Sequence, residues 1–341
     1  MKSGQIPEDV YDIIIIGGGP AGFTAGQYAS RAMLRVLLIE GSLTASQVTI
    51  TDLVENYPGI PEPVSGLELH SRFKRQAGGF GLPTRSEDVI SVTKVQLSEP
   101  VLNKVEDHSG QAVDGWKIKT NGSTYYALSV IIAAGASWKK LGIPGEETFL
   151  GKGVSFCATC DAPFYKNRDV VVIGGGDVAV QEAIYLAKFA GKVTIVHRRD
   201  RLRATGILKK MALANNKIDF AWNSVPEAIL GDDSVTGVKI RNVKTPDDYR
   251  VIQADGVFVF IGLKPNTEVV RGIVELDNNG YILADSNMMT SERSIFSCGD
   301  CIKKLLRQIV TACGDGATAA FSAQLYVEAL KGEAYGDFSS D

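Results

Sequence analysis

Two cysteines in the middle of the chain have a spacing at which thiols do chemistry. Cys157 and Cys160 enclose only Ala158 and Thr159, and Asp161 follows directly. Two intervening residues allow a disulfide to close, and the motif can lower the pKa of one thiol. The alternatives are half of a metal site and a pair of buried small residues.

A structural zinc site fits the sequence poorly, and we expect no metal. Such a site needs four ligands at short spacings. The other C-x-x-C, Cys298 and Cys301, lies far along the chain, and the three histidines show no ligand spacing. A reversible disulfide explains Cys157 and Cys160 better. Cys298, Cys301 and Cys313 are expected to pack in the core, with a second redox role for the Cys298–Cys301 pair as the alternative.

A glycine-rich turn follows the first apolar strand of the chain. Residues 13–16 are four isoleucines, residues 17–22 read GGGPAG, and a helical stretch leads to a second apolar strand that ends in Glu40. This is G-x-G-x-x-G within a βαβ unit, the pattern of a dinucleotide site. The candidate residues are Gly17 for the tight turn, Gly19 for close approach of a pyrophosphate, Gly22 for helix–strand contact, Pro20, Ala21, and Glu40 for the ribose hydroxyls.

The same unit occurs a second time at residues 169–203. A strand at 170–173 leads into Gly174, Gly176 and Ala179, a helix is expected over 180–190, and the next strand covers 193–196. The spacing that relates Gly17 to Gly174 also relates Glu40 to His197. The second strand tip therefore carries a different residue, followed by Arg198 and Arg199.

This change of charge predicts two different dinucleotides. A carboxylate at the strand tip suits two ribose hydroxyls and repels a 2′-phosphate, whereas Arg198, Arg199 and Arg203 suit that phosphate. The alternative is a solvated basic turn. Two sites imply electron transfer between two cofactors, with FAD in the first unit and NADPH in the second as the natural pair. The strand that ends in Gly299-Asp300 supports a flavin, although alone it predicts only a turn.

Composition narrows the remaining classes of function. The 341 residues suit two domains, and 45% hydrophobic with 22% charged residues are ordinary for a globular protein. A net charge of −3 gives no reason to expect binding to nucleic acid or to an anionic membrane surface. No stretch resembles a signal peptide or reaches the ~18 apolar residues of a membrane span, so a cytoplasmic location is expected.

Together with these motifs, several longer segments carry a resemblance to a known family. They are SQVTITDLVENYPG (46–59), VIIAAGASWKKLGIPGE (130–146), FVFIGLKPN (258–266) and LRQIVTACGDGATAA (306–320). From about Tyr11 to about Tyr335 the chain resembles low-molecular-weight, bacterial-type thioredoxin reductases, which are class II pyridine nucleotide-disulfide oxidoreductases.

The resemblance implies a role for each matching residue. Cys160 would receive electrons from the flavin, Cys157 would attack the disulfide of the partner, and Asp161 would exchange protons with the dithiol. The residues expected to bind FAD, besides the first glycine turn and Glu40, are Gln47, Asn56, Gly299, Asp300, Arg307, Gln308 and Ile309. Those expected to bind NADPH are Gly174, Gly176, Asp177, Ala179, His197, Arg198, Arg199, Arg203, Ile261 and Gly262.

The expected fold is α/β, with two Rossmann-like dinucleotide-binding domains of three layers (ββα). The FAD domain is discontinuous, comprising residues 1–137 and 263–341, and the NADPH domain with the C-x-x-C is inserted as residues 138–262. Since the dithiol and the nicotinamide must both reach one flavin, we expect one domain to rotate on the other. The partner is expected to be thioredoxin or a thioredoxin-like protein, and the resemblance implies a homodimer.

Three other functions remain open for this sequence. A flavin-dependent dithiol oxidase would use the same disulfide and pass electrons to oxygen, but it has no need of the three arginines. A ferredoxin:NADP reductase of similar build has no need of the C-x-x-C. A non-catalytic nucleotide-binding module would be colourless when purified.

Overall fold

The structure, a computed structural model, describes residues 10–42, 46–49, 51, 54, 56–97 and 113–332, without the side chains of Thr159 and Cys160. These residues form two compact units. The first unit takes almost all described residues up to Ser137 and those from Pro265 onward, and the second takes Trp138–Lys264. The chain returns to the first unit just beyond the expected position, residue 262.

Seven described strands of the first unit form one sheet. They are β1 (Val10–Ile16), β2 (Val36–Glu40), β3 (Thr84–Ser86), β4 (Val89–Leu97), β5 (Val113–Thr120), β6 (Thr124–Ile132) and β17 (Ile295–Ser297). The order is β3-β2-β1-β6-β5-β4, and β17 pairs with the second half of β6. Strands β1, β2, β3, β6 and β17 are parallel, so their carboxyl ends lie along one edge, where ligands of open α/β sheets bind.

Helices of the first unit are α1 (Pro20–Arg31), α2 (Gly66–Gly79) and α6 (Ile309–Leu330), with short 3₁₀ helices at Glu268–Val270 and Gly299–Cys301. Small residues let α1 and α6 lie close together, because a Cβ atom on Gly316 would come within 2.2 Å of the Ala21 carbonyl oxygen. The apolar side chains of β1 alternate between two cores, with Ile13 and Ile15 on the helix side and Ile14 and Ile16 on the other.

The second unit contains a parallel sheet and a separate antiparallel sheet. The parallel sheet has the order β11 (Ile218–Ala221), β10 (Lys192–Val196), β9 (Asp169–Gly174), β15 (Gly256–Phe260) and β8 (Val154–Ser155). The antiparallel sheet contains β12 (Ser224–Gly231), β13 (Val235–Asn242) and β14 (Tyr249–Gln253). Two further short strands, β7 (Ala136–Trp138) and β16 (Leu263–Pro265), pair where the chain passes between the units.

Helices cover the other face of that parallel sheet. They are α3 (Ala158–Asp161), a 3₁₀ helix at Ala162–Tyr165, α4 (Asp177–Leu186) and α5 (Gly206–Ala214). One apolar core joins the helices to the sheet, and another joins the parallel to the antiparallel sheet. The second unit therefore has the three expected layers. In the first unit, β4 and β5 extend the sheet beyond β6 and share an apolar core with the face of β1 and β2 opposite the helices.

Local boundaries differ from the sequence prediction in three places. Helix α4 begins at Asp177 and ends at Leu186, so it is displaced toward the N-terminus relative to the expected 180–190. The sequence that follows Gly299-Asp300 predicts a helical stretch that includes Arg307 and Gln308, but both residues precede α6, with Gln308 as its N-cap. The polar composition of residues 103–116 predicts a surface hairpin or loop. Most of this segment lies outside the described residues, and β5 begins at Val113.

Candidate active site

The first glycine turn packs as tightly as its motif predicts. Gly17 has φ +121°, and a Cβ atom there would lie 2.1 Å from the Ala133 carbonyl oxygen. A Cβ atom on Gly22 would lie 1.9 Å from the Gly17 oxygen, so both positions need glycine. Helix α1 starts at Pro20 after the N-cap Gly19, without a side-chain cap. Its first N–H groups are therefore free to bind an anion such as a pyrophosphate.

Glu40 stands at the carboxyl end of β2, beside this turn. Its Oε1 pairs with Lys74 Nζ at 2.5 Å, and its Cβ would lie 2.5 Å from a Cβ atom placed on Gly18. Gly18 thus makes room for the acid, a role that the motif alone did not indicate. Lys74, on α2, was not predicted from the sequence either, because no local sequence pattern relates residue 74 to residue 40.

Asp300 is the most informative polar residue of the first unit. Its Oδ1 is buried and has no hydrogen-bond partner, and burial raises the pKa of its carboxyl group against the opposing effect of Lys304 and Arg307. The next carboxylate, Asp315 on α6, accepts the Gly299 N–H at 3.1 Å and pairs with Lys304. Asp300 is therefore fixed at the end of β17 with one acceptor unused, which suits a hydroxyl donor from a ligand.

Four of the other expected flavin residues make side-chain contacts within the protein. Arg307 donates from Nη2 to the Ile302 carbonyl at 3.2 Å and stacks on Tyr281, with its Cζ 4.0 Å from the ring centre. Gln308 accepts a hydrogen bond from Asn56 at 3.1 Å, which joins two segments distant in sequence. Gln47 donates to the Ala136 carbonyl, and Ile309 is the first residue of α6.

The parts of the first site fit a flavin dinucleotide. The uncapped helix N-terminus suits the pyrophosphate, Glu40 suits the ribose of an unphosphorylated dinucleotide, and the unused Asp300 oxygen suits a hydroxyl group of the ribityl chain. All three lie at the carboxyl ends of the parallel strands β1, β2 and β17.

The cysteine pair lies in the second unit, directly after β8. Cys157 is disulfide-bonded, and the Cys160 side chain lies outside the described residues. Ser155 fixes the backbone of Cys157, because its hydroxyl accepts the Cys157 N–H at 3.0 Å and donates to the Cys157 carbonyl at 3.1 Å. Asp161 closes the turn with its N–H on the Cys157 carbonyl at 3.3 Å.

The second glycine turn lies at the same edge of the sheet as the cysteines. Gly174 has φ +151°, and a Cβ atom there would lie 2.4 Å from the Phe260 carbonyl oxygen and 2.6 Å from the Ala179 methyl. Helix α4 follows the N-cap Gly176, again without a side-chain cap. Asp177 accepts the Thr205 N–H at 2.7 Å and so links the starts of α4 and α5.

His197 occupies the strand tip that Glu40 holds in the first unit. A Cβ atom on Gly175 would lie 2.3 Å from its Nδ1, so Gly175 repeats the role of Gly18. Its Nε2 is buried without a partner, and its ring stands edge-on to Trp222. Burial, followed by Arg199 and Arg198, lowers the pKa of the imidazole, which leaves a neutral ring able to contact a ribose or adenine.

A basic cavity of about 580 Å³ opens beside His197. The three expected arginines line it, and Arg203 also lies over the turn, with Nη2 3.1 Å from a Cβ atom placed on Gly176. Further cations were not foreseen from the sequence. The basic residues of the cavity are Arg198, Arg199, Arg201, Arg203, Lys209 and Lys244. This concentration of positive charge beyond a strand tip fits a 2′-phosphate.

Ile261 and Gly262 follow β15 at the edge that carries Gly174. Gly262 has φ +118°, and its carbonyl accepts the Lys139 N–H at 2.9 Å. Because β8, β9 and β15 are parallel neighbours, Cys157, Gly174 and Ile261 all follow carboxyl ends of adjacent strands. The disulfide and the second glycine turn therefore lie at the same edge of the parallel sheet.

The second C-x-x-C does not resemble a redox pair. Cys298 and Cys301 are free thiols with no exposed surface, and they belong to cores on opposite sides of the first sheet. Burial raises the pKa of both thiols, which keeps them protonated. These observations favour core packing. Cys313 is also free, lies half-buried, and accepts a hydrogen bond from Tyr57.

Within the described ranges, no group of three or more histidine, cysteine or acidic residues is arranged to hold a metal ion. In the same part of the chain, no helix is long and apolar enough to span a membrane.

Comparison with known sequences identifies relatives along nearly the whole chain. The family model described as pyridine nucleotide-disulphide oxidoreductase matches residues 11–316. The thioredoxin reductase of Peptoclostridium acidaminophilum is 45% identical over 329 residues, covering 94% of this chain and 98% of that protein. The thioredoxin reductase of Bacillus subtilis is 42% identical over 328 residues, covering 95% and 97%.

Comparison with solved structures agrees in fold. Lactococcus lactis thioredoxin reductase is similar with a TM-score of 0.81 and 41% identity, covering 93% of this chain and 99% of that chain. The thioredoxin reductase of T. acidophilum has a TM-score of 0.79 and 33% identity, covering 92% and 97%.

Proposed function

Because this chain belongs to the pyridine nucleotide-disulphide oxidoreductase family, we propose that it reduces the disulfide of thioredoxin with NADPH. The enzyme is a flavoprotein of the thioredoxin reductase type, and its cofactors are FAD and NADPH. The observation that carries the proposal is the disulfide-bonded Cys157, on the same sheet edge as a nucleotide turn with a basic cavity. The other described cysteines are free, so Cys160 is the proposed partner of Cys157.

The chemistry that FAD would supply when bound is the two-electron coupling of NADPH oxidation to reduction of the disulfide. In our proposal the domain of residues 1–137 and 263–341 holds FAD, and the inserted domain of residues 138–262 holds NADPH. Glu40 binds the adenosine ribose, and the free oxygen of Asp300 accepts a hydroxyl of the ribityl chain. Arg198, Arg199 and Arg203 hold the 2′-phosphate and so select NADPH over NADH.

The dithiol then reduces the partner by two exchanges. Cys157, as thiolate, attacks one sulfur of the partner disulfide, and the other partner sulfur leaves and takes up a proton. Cys160 next attacks Cys157 in the mixed disulfide, which restores the Cys157–Cys160 bond and releases the second partner thiol. Asp161, whose backbone bonds to Cys157, supplies and recovers the proton.

The proposed cycle needs a rotation of one domain on the other. The C-x-x-C and the NADPH turn belong to one compact unit, whereas the flavin residues belong to the other. If Cys160 receives electrons at the flavin ring, the nicotinamide cannot occupy the same face at that time. The two half-reactions therefore use two orientations of the domains.

Further parts of the proposal concern location and assembly. Three of the five cysteines are free thiols, which suits a reducing compartment and supports a cytoplasmic location. The resemblance to thioredoxin reductases supports a homodimer, which light scattering of the FAD-loaded protein would test. A thioredoxin-like protein other than thioredoxin would accept electrons by the same exchange.

An anaerobic titration tests the function directly. The yellow protein should be bleached by NADPH at far lower concentration than by NADH, and thioredoxin disulfide should then restore the flavin colour. The Cys160→Ser variant should keep FAD and accept the hydride but fail to reduce thioredoxin. Normal turnover of thioredoxin by Cys160→Ser would refute the role of Cys160. Sustained NADPH oxidation by air at the same rate without thioredoxin would instead favour the dithiol oxidase.

A further inference from the structure

Helix α2 reaches the first glycine turn with two polar side chains that the scheme above does not use. His70 and Lys74 are four residues apart, so they lie on the same face of the helix. The helix packs against α1, because Ala77 belongs to the same apolar core as Phe23. The polar side chains of α2 are therefore held beside the turn and the end of β2.

His70 binds the backbone of the glycine turn. Its Nε2 lies 2.8 Å from the Gly18 carbonyl oxygen. Because a carbonyl oxygen only accepts, Nε2 carries the proton and donates this hydrogen bond. The ring also stands edge-on to Phe23 of α1, with 5.4 Å between the ring centres, which fixes its orientation. The peptide group that joins Gly18 to the N-cap Gly19 is planar, so this bond fixes its orientation as well.

Lys74 binds one oxygen of the Glu40 carboxylate. Its Nζ pairs with Oε1 at 2.5 Å. Oε2 instead lies over the glycine turn, 3.1 Å from a Cβ atom placed on Gly18. The ion pair therefore fixes the plane of the carboxylate and leaves its second oxygen on the side of the turn.

We propose that His70 and Lys74 are positioning residues of the flavin site, with His70 holding the glycine turn for the pyrophosphate and Lys74 holding Glu40 for the adenosine ribose. The inference rests on the proposed binding of FAD by the first unit. Each residue acts through the protein group that it binds, so neither needs to touch the cofactor. Because these groups serve different parts of FAD, the two residues should affect binding in different ways.

Binding of FAD to the full-length protein measures both effects without turnover. The protein is freed of FAD, and dissociation constants are obtained from the change in flavin fluorescence on binding. Two ligands are compared, FAD and an FAD analogue whose adenosine ribose lacks the 2′-hydroxyl group. The wild type should prefer FAD about tenfold, which is the value of a hydrogen bond to a charged group.

Lys74→Met should lower this preference to about twofold, because Glu40 is then no longer held toward the ribose. The ratio of the two dissociation constants cancels any charge effect that both ligands share. Lys74→Arg keeps the ion pair and should restore the preference. The matched control is Arg72→Met on the same helix. Arg72 is ion-paired with Glu68 at 2.8 Å and is as exposed as Lys74, and its loss should leave the preference unchanged.

His70→Phe keeps an aromatic ring against Phe23 and loses the hydrogen bond to Gly18. It should weaken the binding of FAD and of the analogue equally, by about fivefold, because both ligands carry the pyrophosphate. His70→Gln supplies an N–H donor at a similar distance from the backbone and should recover the affinity.

Each outcome supports or overturns a separate claim. An unchanged preference in Lys74→Met overturns the role of Lys74, and so does an equal loss of preference in Arg72→Met. Unchanged affinity in His70→Phe overturns the role of His70. A wild type that binds both ligands equally refutes the contact of Glu40 with the ribose, and the role of Lys74 with it, but leaves the reduction of thioredoxin intact. A wild type that binds no FAD refutes the proposed function itself. Circular dichroism establishes that each variant is folded.

Discussion

The two glycine turns of this protein use the same geometry for different ligands. Gly17 and Gly174 both leave room for a carbonyl oxygen of a neighbouring strand, and both have positive φ angles. The middle glycines are equivalent as well, since Gly18 faces Glu40 and Gly175 faces His197. The two turns therefore have equivalent backbone conformations. The difference between the two sites lies in the side chain at the end of the second strand.

That difference extends to the charges around each tip. Among the described residues, Glu40 forms an ion pair with Lys74, whereas His197 precedes a cavity lined by several arginines and lysines. A carboxylate with one counter-charge suits hydroxyl donors, and a surplus of cations suits phosphate. In our proposal, a repeated βαβ unit thus acquires its cofactor preference at the end of its second strand.

Substitutions in the cysteine pairs of the two units should give the largest difference in the turnover of thioredoxin. Cys157→Ser should lower the turnover of thioredoxin at least about a thousandfold, because the thiol that attacks the partner is lost. Cys298→Ala, in the buried pair, should keep turnover within about threefold and lower stability by about 1 kcal/mol through a small cavity. Steady-state assays of both variants with NADPH and thioredoxin measure this difference. A comparable loss of turnover in Cys298→Ala would contradict the distinction between a redox pair and a core pair.

Removal of positive charge at the second strand tip should give the next largest effect, a loss of kcat/KM for NADPH. The double variant Arg198→Ala, Arg199→Ala should lower kcat/KM for NADPH about a hundredfold, since each lost charge-assisted hydrogen bond is worth about 1.5 kcal/mol or more. Its kcat/KM for NADH and its FAD content should change little. Initial rates with both nucleotides test the assignment, which an equal loss with NADH would contradict.

The buried acid of the second unit should make stability depend on pH. The pKa of Glu182 is raised in the folded protein to about 7, so the folded state binds more protons than the unfolded state between pH 4.5 and 7. Stability should therefore fall as pH rises through this range. At 1.36 kcal/mol per pKa unit, reduced for partial exposure, the loss is about 2 kcal/mol.

Urea denaturation at pH 5, 6, 7 and 8 measures this contribution. In Glu182→Gln the free energy of unfolding should fall less steeply with pH. The stability of the variant relative to the wild type should therefore increase as pH rises. Asp300 is the corresponding buried acid of the first unit, because burial is also the main cause of its raised pKa. Parallel curves for wild type and Glu182→Gln would show that Glu182 ionises normally.

The surface beside the redox pair should give the smallest effect. Phe164 follows the C-x-x-C closely and is 74% exposed, which suits contact with a partner protein. Phe164→Ala should raise KM for thioredoxin about fivefold, equal to about 1 kcal/mol of binding, with kcat unchanged. Phe321→Ala, an exposed phenylalanine on α6, is the matched control and should leave KM unchanged.

Sequence patterns identified what depends on local backbone geometry. The strand–glycine–helix motifs predicted both turns, because a glycine with positive φ or a close carbonyl has few substitutes. Strand β17 was also expected from its apolar run before Gly299-Asp300. The end of α4 was misplaced, because the apolar pattern continues through Ala187 and Ala190 in the core after the helix has ended.

Contacts between distant segments could not be found in the same way. Lys74 for Glu40, Asp315 for Gly299 and Asn56 for Gln308 become neighbours only when the sheet is assembled. The resemblance also implied that Arg307 binds FAD, which stays a prediction. Within the protein, Arg307 donates to the carbonyls of Asp300 and Ile302 and stacks on Tyr281. Glu182 gave no signal, because the burial that raises the pKa of its carboxyl group exists only in the folded protein.

The pairing of β6 with β17 has a consequence for how the protein is made. An entire domain separates these two strands in the chain, although Val130 and Ile295 are direct neighbours in the sheet. On the ribosome the second unit emerges in full before β17 exists, and domains fold as units during synthesis. The first sheet must then close a very long loop, a slow type of pairing. Asp300 reaches its place only after that closure, so in our proposal flavin binding follows the pairing of β6 with β17.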